Sequence, residues 1–253
     1  MQRSISKLES WLAEGHKVIA SLAPSYLAEF EENAGKVAGV LKKLGFYGIE
    51  ETITVLPEIV EARERAAGYS RKPIIYNSCP VVWGLIDSHY PGLKKYLLNI
   101  PSPMVLHGRR LKERFPGAKT VFIGPCEAKK WEEVRFYKTQ YVDLVITFKE
   151  LRQILTGQKI DMQNSSETKF LSEPPIWVET GILSFFKSGL KNVSNFLENF
   201  DADSMASYGM ELLACEGGCI NGPGMTTAEP VEKRIGIYCE RIMVKGKANR
   251  TKS

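Results

Sequence analysis

Four cysteines carry the chemistry open to this sequence. Two stand in Cys215-Glu216-Gly217-Gly218-Cys219, followed by Ile220-Asn221-Gly222-Pro223-Gly224. Cys79 lies in Asn77-Ser78-Cys79-Pro80 and Cys126 in Gly124-Pro125-Cys126-Glu127-Ala128-Lys129-Lys130, each beside a proline at an apparent strand end. Four thiols so placed can ligate a buried metal centre, and an iron–sulfur cluster is the usual occupant of such a site. The C-x-x-x-C spacing alone decides little, because zinc sites use it too. The glycines sharpen it: Gly217, Gly218, Gly222 and Gly224 leave backbone unobstructed, so N–H groups can approach a large inorganic body and its sulfides. A radical-SAM pattern wants a third cysteine where Asn221-Gly222 stands, and the short C-x-x-C spacings of bacterial ferredoxins are absent.

Strands and helices must bring these segments together. Lys17–Leu22 reads as a buried strand, followed by a helix over about Tyr26–Leu44 that Gly45 ends. Further strands are expected at Tyr47–Ile53, Pro73–Asn77, Lys119–Ile123, Val142–Phe148 and Met210–Ala214. Helices are expected from Pro57 to Ala67 and over Val81–His89, Gly92–Leu98, Met104–Phe115, Lys149–Leu155, Leu190–Phe200 and Glu229–Lys245. The stretch Thr156–Pro175 is polar and reads as an insertion or linker. This alternation predicts an α/β fold, with two lobes of mostly parallel sheet flanked by helices. Three strands end in a cysteine, and sites in open parallel sheets gather beyond the carboxyl ends of strands. The metal site is therefore expected in the cleft between the lobes.

The 253 residues carry 43% hydrophobic and 25% charged side chains, an ordinary globular balance. A net charge of +5, much of it in the tail Lys245, Lys247, Arg250 and Lys252, requires no nucleic-acid partner. No run approaches the ~18 apolar residues of a membrane span, and the amino terminus reads as an amphipathic helix rather than a signal peptide. A reducing cytoplasmic setting is the expectation, where five cysteines suit metal or redox chemistry better than disulfides. Cys239, away from every motif, reads as a lone buried thiol in a helix.

Three segments are recognisable together. Gly124-Pro125-Cys126-Glu127-Ala128-Lys129-Lys130 is the first. Ser78-Cys79-Pro80, followed by Tyr90-Pro91 and Ser102-Pro103-Met104, is the second, and Leu213-Ala214-Cys215 through Gly222-Pro223-Gly224 the third. They resemble the signature segments of the iron-only hydrogenases, in the large-subunit carboxyl-terminal domain that houses the H-cluster. Fainter echoes at Leu22–Ser25, Thr54–Arg65 and Val142–Phe148 extend the resemblance over about residues 17–242.

The resemblance implies a single H-cluster domain over residues 1–253, with one lobe at about 16–110, a second at about 111–200 and a closing segment at 201–253. It implies a [4Fe–4S] cluster on Cys79, Cys126, Cys215 and Cys219, with Gly218 and Gly222 beside it. Cys219 would also bridge to a two-iron subsite carrying carbon monoxide, cyanide and a dithiolate. Lys129 matches the lysine that contacts a cyanide, Ser102 a residue lining the dithiolate, and Pro24 and Ser25 the cavity wall. Glu58 and Glu61 match relay carboxylates, and their spacing puts both on one helical face.

This chain also departs from the active pattern. Ser78 replaces a proton-relaying thiol, and a hydroxyl is far less acidic than a thiol of pKa about 8.5. Leu98 stands where a relay serine is expected, and Gly124 and Leu213 where two methionines pack on the subsite. Ferredoxin-like accessory clusters are not found in the sequence. The expectation is a divergent, sensory-like hydrogenase of low activity, oxidising H2 or reducing protons slowly in an anaerobe. Its partners would be H2 and protons, a ferredoxin-like electron carrier or a separate signalling protein, and maturation enzymes. The alternative is a catalytically silent [4Fe–4S] redox or sensor module. Structural zinc stays open from the cysteines alone.

Overall fold

The protein is described from a computed structural model, which covers residues 2–68, 72–172 and 183–250. Two all-parallel sheets organise the chain. The first has order β2-β1-β4-β5, from Gly48–Glu51, Val18–Leu22, Lys119–Gly124 and Leu144–Thr147. The second has order β3-β7-β6, from Ile74–Ile75, Tyr208–Leu213 and Leu183–Ser188. Every residue of β1 is buried, which requires cover on both faces of the sheet. That cover includes α1 (Gln2–Ala13), α2 (Tyr26–Phe30), α3 (Val37–Lys43), α6 (Pro103–Arg114) and α8 (Phe148–Gly157). Its core joins Val18, Leu22, Val121, Ile146, Phe148 and Leu151. The second sheet packs on α5 (Pro80–His89) and α9 (Leu190–Glu198) through Ile75, Val82, Ile86, Val193, Leu197 and Met210.

The two sheets interleave along the sequence. β4 and β5 complete the sheet begun by β1 and β2, while β3 crosses to pair with β7, Ile75 opposite Met210. Lobes drawn at 16–110 and 111–200 therefore do not coincide with the sheets, because strand pairing joins segments far apart in the chain.

Local differences have local causes. The helix expected over 26–44 is three pieces, with a 3-10 turn at Glu31–Lys36 where Glu31 takes φ +45. Gly45, at φ +102, does end the last piece. Gly92–Leu98 is a 3-10 turn at Pro91–Tyr96. β6 has no counterpart among the expected strands: it is an edge strand whose Ser184 and Lys187 break the apolar pattern. The polar stretch after α8 is a packed strap through residue 172. Leu171 N–H donates to the Ile49 carbonyl (2.8 Å), and the Ser166 carbonyl occupies the space a side chain at Gly39 would need. Pro175, the end of that stretch, lies outside the described residues. Helix α4 spans Leu56–Gly68 and α10 spans Val231–Arg250. No helix among the described residues is long and apolar enough to cross a membrane.

Candidate metal centre

Three loops at carboxyl ends of strands deliver the cysteines. Cys126 follows β4, Cys215 follows β7, and Cys79 follows β3 as the N-cap of α5, with Pro80 in that helix's first turn. Cys219 opens a 3-10 turn, Cys219–Asn221. The cysteines from both sheets lie near enough for the charge of one to act on another, although among the described residues no three Cys, His, Asp or Glu are grouped to hold one metal ion. Burial pushes the Cys215 thiol up to about 11, and the charges of Cys126 and Cys79 add to it. Burial pushes Cys219 up to about 12, again with Cys79 and Cys126 adding and Lys129 opposing. Cys126 is raised by burial, against the Lys129 charge and the amides of Lys129 and Ala128. Cys219 as a residue is nonetheless exposed to solvent. Tyr238 of α10 lies near enough to feel the charge of Cys219. Burial raises its phenol well above the ordinary range, and the charge of Cys219 adds to the rise.

Glycines let the loops interlock. Gly217 and Gly218 take φ +73 and +90, conformations that side chains rarely adopt. At Gly222 a Cβ would stand 2.5 Å from the Pro125 carbonyl oxygen, and Gly224 N–H donates to that same oxygen at 2.8 Å. Gly222 and Gly224 thus seat the Cys219 loop on the Cys126 loop, a packing role where the sequence suggested an approach to the cofactor.

Lys129, at the start of α7 (Lys129–Glu132), spans the two sheets. Its ammonium donates to the Ser78 carbonyl (3.1 Å) and the Ser102 hydroxyl (3.2 Å), and pairs with Glu132 at 2.6 Å. Burial opposes the charge on Lys129, but Glu132 and the sulfurs of Cys126 and Cys219 overcome it and raise the pKa. Ser102, the N-cap of α6, is buried, and its amide donates to the Tyr137 hydroxyl (3.0 Å), as does Asn77 Nδ2 (3.2 Å). Glu132, Asn77 and Tyr137 escaped the sequence reading. Only the i, i+3 spacing of Lys129 and Glu132 offered a signal.

Each expected relay residue meets an arginine. The Ser78 hydroxyl accepts from Arg63 Nη2 (3.3 Å), whose guanidinium pairs with Glu211 (2.8 Å) and stacks on Tyr76 at 3.7 Å. Glu61 is 72% exposed and pairs with Arg65 (2.7 Å), and Glu58 stands 3.7 Å from Arg110. Leu98 is a half-buried residue whose amide donates to the Ile75 carbonyl (2.9 Å). Pro24 is half-buried and Ser25 buried beyond the end of β1, and the Ser25 hydroxyl has no hydrogen-bond partner among the described residues. Cys239 is exposed on α10, not buried, because that face of the helix has no covering element among the described residues.

The cysteines stand beyond the strand ends of a parallel α/β scaffold, where such sheets place their binding sites. The structure of a [FeFe]-hydrogenase HydA1 variant from Chlamydomonas reinhardtii shares this fold, with TM-score 0.75 and 16% identity over 93% of this chain and 88% of that one. The profile described as "Iron only hydrogenase large subunit, C-terminal domain" matches residues 16–176 and 175–223. The chain belongs to that family. Iron hydrogenase 1 of Clostridium pasteurianum is 22% identical over 90% of this chain, which spans about half (53%) of that protein's length. The cytosolic Fe-S cluster assembly factor NAR1 of Encephalitozoon cuniculi is 23% identical over 83% of this chain and 68% of its own.

Proposed function

We propose that Cys79, Cys126, Cys215 and Cys219 hold a [4Fe–4S] cluster, and that the protein serves as an iron–sulfur redox or sensor module rather than in hydrogen turnover. When bound, such a cluster supplies one-electron chemistry. The donor set fits it. All four groups are thiols, and burial, with the charges of neighbouring thiols adding, raises the pKa of Cys126, Cys215 and Cys219, a penalty on the thiolates that a cationic core offsets. A single tetrahedral ion would need its sulfurs about 3.8 Å apart, since zinc–sulfur bonds are about 2.3 Å.

The observation that carries the second half is the state of Lys129 and Ser78. The Lys129 ammonium donates to the Ser78 carbonyl and the Ser102 hydroxyl and forms an ion pair with Glu132, so protein groups already engage it where the resemblance would set a cyanide. The Ser78 hydroxyl is held by Arg63, and a guanidinium donates protons in hydrogen bonds but accepts none, so it ends a relay. The likeness to proteins named as cluster assembly factors supports a role outside hydrogen chemistry.

The test is anaerobic reconstitution with iron and sulfide counting, then infrared and H2 assays after exposure to maturation enzymes. About four iron per chain is expected, falling when any of the four cysteines becomes serine. No carbonyl or cyanide bands and no H2 uptake are expected. The second reading, a complete H-cluster with slow turnover or hydrogen sensing, draws support from the unpartnered, buried Ser25 hydroxyl, which a subsite could engage. Infrared bands with turnover abolished by Cys219→Ser would establish it.

A further inference from the structure

Two cations converge on Ser78, the residue that precedes Cys79. Lys129 Nζ donates to its carbonyl (3.1 Å) and Arg63 Nη2 to its hydroxyl (3.3 Å). Each cation has a carboxylate partner, Glu132 for Lys129 (2.6 Å) and Glu211 for Arg63 (2.8 Å). The first pair belongs to the segment around Cys126. The second is brought from α4 and β7, and no motif in the sequence announced it.

The Arg63–Glu211 pair is built into the fold. Tyr76 is buried, and its ring lies 3.7 Å from the guanidinium. Tyr76 N–H donates to the Met210 carbonyl (2.9 Å), and the Tyr76 hydroxyl fills the space that a side chain at Gly209 would need. Glu211 and Leu213 alternate along β7 and so share one face of the sheet. Leu213 in turn lies 3.2 Å from where a side chain at Gly218 would stand, in the loop between Cys215 and Cys219. Arg63 Nε and Glu211 Oε1 are buried with no hydrogen-bond partner among the described residues. A carboxylate held that way keeps a field that neither water nor a second donor offsets. Burial, the charges of Cys79 and Cys126 and then the charge of Glu211 all raise Cys219, so the field reaches that cysteine.

We infer that Arg63 and Glu211 together set the reduction potential of the cluster, the arginine raising it and the glutamate lowering it. The inference rests on the [4Fe–4S] reading above. Reduction adds one negative charge to the cluster and makes or breaks no bond. A fixed cation beside Cys79 favours the reduced state, and a fixed anion within reach of Cys219 disfavours it. Held as a pair, the two charges offset each other, and the loss of either displaces the potential. Arginine suits the position because one planar head can stack on Tyr76 while donating to Ser78 and Glu211, which an ammonium cannot do.

The experiment uses the full chain reconstituted anaerobically with iron and sulfide, with iron counted in every sample. The midpoint potential is read from the paramagnetic signal of the reduced cluster during a dithionite titration with mediators, at one pH and salt. Arg63→Gln is expected to lower the potential and Glu211→Gln to raise it. The double variant should fall between the two, and Arg63→Lys should stay closer to the unaltered protein than Arg63→Gln does. A purely structural pair would act by admitting water, which moves both single variants the same way. Shifts of one sign, or none at full iron content, therefore overturn the inference and leave the cluster reading intact. Should Arg63→Gln hold no iron, the Glu211→Gln shift decides alone: upward supports the inference, and downward or absent overturns it. Failure of the unaltered protein to bind iron sinks the cluster reading, and this inference with it.

Discussion

Lys129 is only 11% exposed and pairs with a carboxylate, Glu132, that is fully buried and whose second oxygen has no hydrogen-bond partner among the described residues. Truncating the lysine would strand that charge. Lys129→Ala is expected to cost about 3–5 kcal/mol in urea unfolding, because breaking a buried pair leaves its partner uncompensated. Adding Glu132→Gln should recover part of the loss, and an unchanged midpoint in the single variant would refute the pair's importance. The motif Pro125-Cys126-x-x-Lys129 was legible because the chemistry of each residue type is fixed. The partners of that lysine were not, since Ser78 and Ser102 reach it only through the crossing of β3 and α6 against β4. Arg63 shows the same limit: it reads as an ordinary helix-surface arginine until Tyr76, Ser78 and Glu211 close around it.

At the scale of elements, the loops after β4 and β7 depend on residues that have no side chain. Gly222→Ala would drive a methyl group into the Pro125 carbonyl, a backbone atom that cannot rotate away. Gly218→Ala would demand φ +90 of an alanine and press on Leu213 at 3.2 Å, a left-handed strain of about 1–2 kcal/mol before any contact. Both variants are expected to lower iron content on reconstitution, Gly222→Ala the more severely; full occupancy would contradict the interlocking of the loops. Glu29 on α2 clamps the end of the same loop. It accepts from Thr226 N–H (2.8 Å) and pairs with Arg152 (2.7 Å). Helix starts were readable where a cap or proline marks them. Thr147 and Glu150 form a capping box for α8, and Pro80 and Pro103 open α5 and α6. The break in the 26–44 helix was not, because its apolar spacing continues through the 3-10 turn.

Over the whole molecule, a buried polar network ties β1, β2, α6 and the strap before residue 172 into one unit. Ser21 Oγ lies 2.7 Å from His107 Nδ1, and His107 Nε2 3.2 Å from Glu50, which also accepts from Arg114 (2.7 Å) and Ser172 (2.9 Å). Burial alone would raise the Glu50 pKa, but the His107 and Ser172 hydrogen bonds and nearby positive charge bring it from 4.5 down to about 2. The unfolded chain therefore takes up this proton first as pH falls. Its contribution, on the order of 3 kcal/mol, is complete above about pH 5 and is lost as pH drops through 4.5 toward 2. Unaltered protein should lose more stability between pH 7 and pH 3 than Glu50→Gln does; parallel losses would disprove the linkage.

The sequence by itself determined the four motif cysteines, the strands that end near them and the parallel α/β class, because residue chemistry and hydrophobic periodicity are local properties. Which strands share a sheet, where Lys129 spends its hydrogen bonds, and the diversion of Glu58, Glu61 and Ser78 toward arginines were decided only in three dimensions. Those outcomes depend on pairings between segments tens to more than a hundred residues apart, and no spacing along the chain encodes them.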